Sequence, residues 1–101
     1  MKSEHDLQNY IRLELTKLDW LTFRINVGKV KMADGRWFDT GLPAGFSDLI
    51  ALKNGETIFI EVKGKNGRPT VAQKNFIEQM KNRGFRSGIV YSFEDVLHLI
   101  D

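Results

Sequence analysis

The chain has 101 residues, 42% of them hydrophobic and 28% charged, with no cysteine and a formal net charge of +2. That length builds one domain, spanning 1–101, around one core. The lack of cysteine excludes disulfides and thiolate zinc sites, and no apolar run resembles a signal peptide or reaches membrane-spanning length, so a cytoplasmic location is expected. A charge of +2 does not imply nucleic acid by itself, but its distribution is uneven. From Lys63 to Arg86 there are seven basic residues and one acid, Glu78, a sign of patch that favours a phosphate backbone or, more simply, forms a solvated helix face.

Ser3 to Leu18 reads as a helix. Ser3-Glu4-His5-Asp6 has the capping-box pattern, and Leu7, Tyr10, Ile11, Leu15 and Leu18 recur as one apolar stripe. Leu21 to Val27 alternates as a strand, and Lys29 to Met32 with Arg36 to Phe38 predicts a further hairpin around Asp34-Gly35. Gly41-Leu-Pro-Ala-Gly-Phe-Ser47 is a loop by its glycines and proline. The apolar runs Asp48–Lys53 and Glu56–Lys63 flank Asn54-Gly55, the strongest short-range hairpin signal. Both strands are apolar on both faces, Ile50, Leu52 and Phe59 on one and Leu49, Ala51, Ile58, Ile60 and Val62 on the other, which places them mid-sheet under helices. Gly64 to Pro69 is a loop, Thr70 to Arg83 a helix stopped by Gly84, Arg86 to Ser92 a strand, and Ser92-Phe-Glu-Asp95 caps a last helix through Ile100. The order αβββαβα indicates an α/β fold, a mixed β-sheet flanked by helices.

The hairpin register carries the chemistry. If Asn54-Gly55 is the turn, Lys53 pairs with Glu56, and counting back sets Asp48 opposite Glu61. Side chains directly opposite have Cβ atoms roughly 4.5–5.5 Å apart, and like charges there destabilise a sheet. Two such carboxylates in an apolar ladder call for a divalent cation or a shared proton. Lys63 follows on the face of Glu61, roughly 7 Å along the strand. Mg²⁺ or Mn²⁺, hard cations that take carboxylate, carbonyl and water ligands, suit Asp48 and Glu61.

Asp48 followed by Glu61-Val62-Lys63 resembles the PD-(D/E)xK nuclease signature, with Ser47 where its name has proline. Gly45-Phe-Ser-Asp-Leu, Ile60-Glu-Val-Lys63, Pro69-Thr-Val-Ala-Gln73 and Phe76 are further similar to the VRR-NUC family, including its small stand-alone viral and bacterial members. Glu4, Phe23-Arg24-x-Asn26 and Gly84 fit as well, so the likeness covers nearly the whole chain. The resemblance implies a restriction-endonuclease-like fold and metal-dependent, structure-selective DNA cleavage. For the stand-alone type it implies dimers acting on Holliday junctions. It further implies a metal ligand from the Val62 carbonyl, Glu4 near the same metal, a role for Gln73 beside the phosphate or water, and 5′-phosphate products. A bacterial or phage-infected cell is the expected setting. A flap, overhang or restriction-like nuclease, or a non-catalytic DNA-binding module, are the alternatives on the same fold.

Each residue also has a plainer reading. Glu61 and Lys63 can form a surface ion pair, Thr70-x-x-Gln73 is also a capping box, and Glu4 suits a helix N-terminus. Glu14 competes with Glu4 as the helix carboxylate of the site. His5 and His98 lack metal-ligand spacing. Lys65, Arg68 and Lys74 are the candidate DNA contacts, with Arg24 and Asn26 sharing a strand face from which either could reach a phosphate. A symmetric dimer could use Trp20, Trp37 or Phe38, although a core place for a tryptophan fits equally.

Overall fold

The computed structural model describes residues 3–27 and 29–101. Its elements follow in the order α1 (Glu4–Lys17), β1 (Leu21–Arg24), β2 (Lys29–Lys31), β3 (Trp37–Asp39), β4 (Leu49–Lys53), β5 (Glu56–Val62), α2 (Val71–Asn82), β6 (Arg86–Val90) and α3 (Phe93–Ile100). Four strands form one sheet in the order β1-β4-β5-β6, and β2 and β3 form a separate two-stranded ribbon. Within the larger sheet and its helices the order is αβββαβα, as the sequence predicts. Strands β1, β4 and β5 run antiparallel, while β6 joins β5 in parallel through the α2 crossover, so the sheet is mixed.

Local chemistry explains the boundaries. Ser3 caps α1 with a reciprocal box to Asp6, and Thr70 caps α2 in the same way with Gln73. Asn54 and Gly55 both take positive φ, 51° and 79°, the conformation of a two-residue hairpin turn whose twist suits its strands. The predicted register therefore holds, with Lys53 on Glu56 and Leu49 on Ile60. β1 stops at Arg24, short of Val27, because the Ile25 N–H makes one last bond to the Asp48 carbonyl (2.8 Å) and the chain then leaves the sheet. β6 stops at Val90 because Tyr91 and Ser92 serve α3 instead. The Tyr91 N–H donates to the Asp95 carboxylate (2.8 Å), and Ser92 Oγ accepts from the Asp95 N–H (3.2 Å).

The two sheet faces are covered differently. Ile11 and Leu15 of α1 and Val96 of α3 pack with Leu49, Ala51, Ile58, Ile60, Val62 and Val90 into the main core. On the other face α2 lies over β5 and β6, where Phe46, Phe59, Phe76 and Phe85 meet at centroid distances of 4.5–6.2 Å, mostly edge to face. α2 does not extend over β1, so Leu21 (57% exposed) and Phe23 (47%) of that face stay open to solvent beside half-buried Ile50 and Leu52. The α1 stripe differs in detail from its expected form. Gln8 is buried with Ile11 and Leu15, whereas Tyr10 and Leu18 are exposed at the stripe's flanks.

Candidate active site

The ladder between β4 and β5 ends at Leu49 and Ile60, and beyond it carboxylates take over from backbone carbonyls. The Val62 N–H donates to Asp48 Oδ2 at 2.9 Å, and the Asp48 N–H donates to Glu61 Oε1 at 3.2 Å. One more step along β5, the Gly64 N–H donates to Glu4 Oε2 at 3.3 Å. Between those two donors, the Lys63 N–H points the other way and bonds the Val90 carbonyl of β6 at 2.9 Å. As β4 diverges, β5 thus exposes N–H groups at alternate residues, and Asp48 and then Glu4 satisfy them. This arrangement brings Asp48, Glu61, Val62 and Glu4 together at the end of β5. Glu14 lies elsewhere, ion-paired with Lys17 at 2.8 Å.

Glu61 is 1% exposed, and its Oε2 has no hydrogen-bond partner. The nearest cation is Lys63 Nζ at 3.8 Å, on a side chain only 12% exposed. Burial first, and the neighbouring Asp48 charge second, push the Glu61 carboxyl up to about 8. Asp48 is raised too, chiefly by burial and further by the Glu4 charge, against the lowering effect of the Val62 N–H. An orphaned buried carboxylate oxygen beside a second carboxylate fits a hard divalent cation, and the groups nearby are oxygen donors rather than thiolate or imidazole. Among the described residues no three of His, Cys, Asp and Glu gather closely enough to hold an ion alone. A bound ion would therefore complete its shell with the Val62 carbonyl, water or a phosphate oxygen.

The other predicted residues divide. Gln73 Oε1 accepts from the Thr70 N–H at 2.8 Å, so its carbonyl end completes the capping box and its amide NH₂ is left for another acceptor. Lys65 and Arg68 are exposed on the loop after Lys63. Gly67 ties that loop to Gly64 (2.9 Å), and the Tyr91 hydroxyl donates to the Gly67 carbonyl (3.2 Å). Lys74 is exposed in the first turn of α2. Arg24 pairs with Leu49, which puts it on the sheet face opposite Asp48 and Glu61, so these do not share one surface directly. Trp20 belongs to the core and is unavailable to a partner, while Trp37 and Phe38 are exposed.

Three supporting features escaped the sequence reading. Gly45 takes φ +92°, and a Cβ there would lie 2.6 Å from the Ala72 backbone, so a glycine lets the loop before Asp48 press on the first turn of α2. Ser47 is fully buried, its hydroxyl donating to the Leu49 carbonyl at 3.1 Å. Gln8 Oε1 and Arg12 Nε, one helical turn apart on α1, are buried without hydrogen-bond partners. The glycine and serine stand inside the Gly45–Leu49 motif, but only tertiary contact shows what they do.

A four-stranded mixed sheet between helices, with opposed carboxylates and a lysine at one end of its central hairpin, is a nuclease-type arrangement. The VRR-NUC domain model matches residues 3–94, and the chain belongs to that family. A solved structure described as a VRR_NUC domain is 26% identical to it, covers 98% of this chain and 96% of its own, and superposes with a TM-score of 0.70. No curated protein matches the chain. Among the described residues no helix is long and apolar enough to cross a membrane.

Proposed function

We propose that the protein is a divalent-cation-dependent DNA endonuclease that cuts branched DNA, Holliday junctions in particular, as a homodimer. The observation that carries the reading is the pairing of half-buried Asp48 with buried Glu61, one Glu61 oxygen being orphaned beside the Lys63 ammonium. A binding module has no use for two opposed carboxyl groups, one of them buried with an orphaned oxygen, at the point where phosphate would bind. Mg²⁺ or Mn²⁺ held there would lower the pKa of a bound water and neutralise charge gathering on the phosphate. Asp48 and Glu61 would hold it, with the Val62 carbonyl, and with Glu4 directly or through water.

Lys63 has a separate task. Its ammonium sits next to the carboxylates and is largely shielded from solvent, so it can donate to a phosphate oxygen or orient the attacking water where its charge counts most. The free NH₂ of Gln73 can reach the same phosphate or water while its carbonyl holds the helix cap. Lys65, Arg68 and Lys74 would fix flanking phosphates, with the α2 N-terminus adding its backbone N–H groups. No base-reading motif stands out in the sequence, which favours recognition by backbone and shape.

The homodimer draws support from the open half of the sheet. Leu21 and Phe23 are exposed beside Ile50 and Leu52 on a face that α2 leaves uncovered, and a second copy would cover it symmetrically while supplying a second active site.

The test is cleavage of a labelled four-way junction beside flap, duplex and single-stranded DNA, in Mg²⁺, Mn²⁺ or chelator, with Lys63→Ala as the contamination control. Paired symmetric cuts on the junction, lost in chelator and in the variant, are expected. Cutting of flaps or duplex instead would overturn the junction preference but keep the chemistry. Tight binding without cleavage under any ion would favour a binding module.

A further inference from the structure

The β2–β3 ribbon has no place in the chemistry above, yet the chain leaves the sheet for it at Ile25, bonded to the Asp48 carbonyl, and returns from it into Asp48 itself. The chain thus leaves the sheet and re-enters it at the carboxylate end, with residues 40–47 connecting the ribbon to Asp48. Cross-strand pairs Lys29–Asp39 and Lys31–Trp37 put Lys29, Lys31, Trp37 and Asp39 on one face, since directly opposite residues share a face. Trp37 is 64% exposed. Asp39 is engaged locally, its Oδ1 accepting the Gly41 N–H at 2.9 Å, and among the described residues neither lysine has an ion-pair partner. The tip is braced by the Met32 N–H on the Arg36 carbonyl (2.7 Å) and by the Arg36–Asp34 ion pair (2.8 Å).

We propose that this ribbon is a stacking arm for unpaired DNA: Trp37 packs on a base exposed next to the cut site, and Lys29 and Lys31 hold the phosphates on either side. The proposal rests on the DNA reading above and adds the class of structure that the site selects. An indole offers a face to any base, and ammonium groups beside it neutralise phosphate. The same face suits a protein partner poorly, because interface cores are depleted in lysine and two ammonium groups would be desolvated there. Duplex interior does not qualify as the ligand, since its bases are already stacked on both sides. A branch point or single-stranded arm does.

The experiment measures binding to a splayed duplex with two single-stranded arms and to an intact duplex of equal length, in Mg²⁺. Lys63→Ala serves as the background, so that DNA is held and not cut. Trp37→Ala is expected to weaken binding to the splayed duplex roughly 5- to 150-fold, the range of one base–aromatic stack, and to leave intact duplex within about twofold. Trp37→Phe should restore most of the loss. Lys29→Ala with Lys31→Ala should lower the salt slope on the splayed probe by about 1.4. With Trp20→Phe added, Trp37 is the one remaining tryptophan, and its emission should be quenched by the splayed duplex.

Unchanged affinity of the Trp37 variant with unquenched emission overturns the arm while leaving the nuclease intact. Loss of self-association in Trp37→Ala, with all DNA probes weakened alike, overturns it in favour of a contact with a second copy. Failure of both the unsubstituted protein and Lys63→Ala, each with Trp37 intact, to bind any probe removes the DNA reading and the arm with it.

Discussion

Glu61 accepts the Asp48 N–H on one oxygen and leaves the other without a donor, on a side chain that is 1% exposed. Its carboxyl, raised to about 8 by burial and by Asp48, keeps its proton across the neutral range, whereas an unfolded glutamate releases it near 4.5. Between those values the folded chain binds more protons than the unfolded one, so stability falls as pH rises through that window. Below 4.5 both states are protonated and the effect vanishes; above 8 the loss is complete. Asp48, shifted the same way, steepens the trend. In chelator, the melting temperature should therefore drop from pH 5 to pH 8, and Glu61→Gln should flatten the slope. Mg²⁺ or Mn²⁺ competes with the proton, so its stabilising effect should grow over the same interval, with proton release on binding detectable by calorimetry in buffers of different ionisation enthalpy. Lys63→Ala should lower the cleavage rate by about 10²- to 10³-fold, as when one preorganised charge donor is lost, with junction affinity far less affected. A variant that cuts at the wild-type rate would remove Lys63 from the chemistry.

Among the elements, the loop from Gly41 to Ser47 is what aims Asp48. Gly45 presses it onto Ala72, and Phe46 locks it into the aromatic cluster with Phe59 and Phe76. Gly41 and Gly45 make a matched pair, since both have positive φ but only Gly45 has backbone in the way of a Cβ. Gly41→Ala should cost about 1–2 kcal/mol, the penalty of left-handed backbone, while Gly45→Ala should cost clearly more and slow cleavage as well. Equal melting temperatures for the two would show that the close approach is unimportant. The β4–β5 hairpin was legible in sequence because a dipeptide turn between two apolar runs is a local signal, and the two-residue period of side chains then set which carboxylates meet. Glu4 was separable from Glu14 only through Gly64, sixty residues away, and local spacing carries no such contact. Gln73 answered to two patterns at once, and the structure shows the cap. Arg24 was expected near the phosphate by its motif, yet pairing with Leu49 turns it to the opposite face. Trp20 and Trp37 are alike in composition and opposite in burial, a difference that depends on which faces the helices cover.

At the scale of the whole molecule, the proposed dimer would close over the open sheet face around Leu21 and Phe23. Phe23→Glu places a charge in the middle of that face and should convert a dimer to a monomer in sedimentation equilibrium. Because Phe23 is only half covered in the monomer, the change should cost the monomer less than the roughly 3–5 kcal/mol of truncating a fully buried phenylalanine. Paired cutting of a four-way junction should then give way to single nicks. An unchanged mass would move the dimer contact elsewhere.

The two-residue turn at Asn54-Gly55 lies at the far end of the hairpin from Asp48 and Glu61, yet it governs them. Because side chains alternate, one inserted or deleted residue there would shift the register by one and exchange the faces of β5. Glu61 and Lys63 would turn into the apolar core under α1 and α3, and Ile60 and Val62 toward the α2 face where the carboxylates now stand. The β2–β3 excursion, Lys29 to Asp39, carries no such constraint, since it lies outside the four-stranded sheet. Length variation among relatives should accordingly collect in that excursion, where it would retune what the enzyme grips. The turn should keep its length, although no catalytic atom is near it.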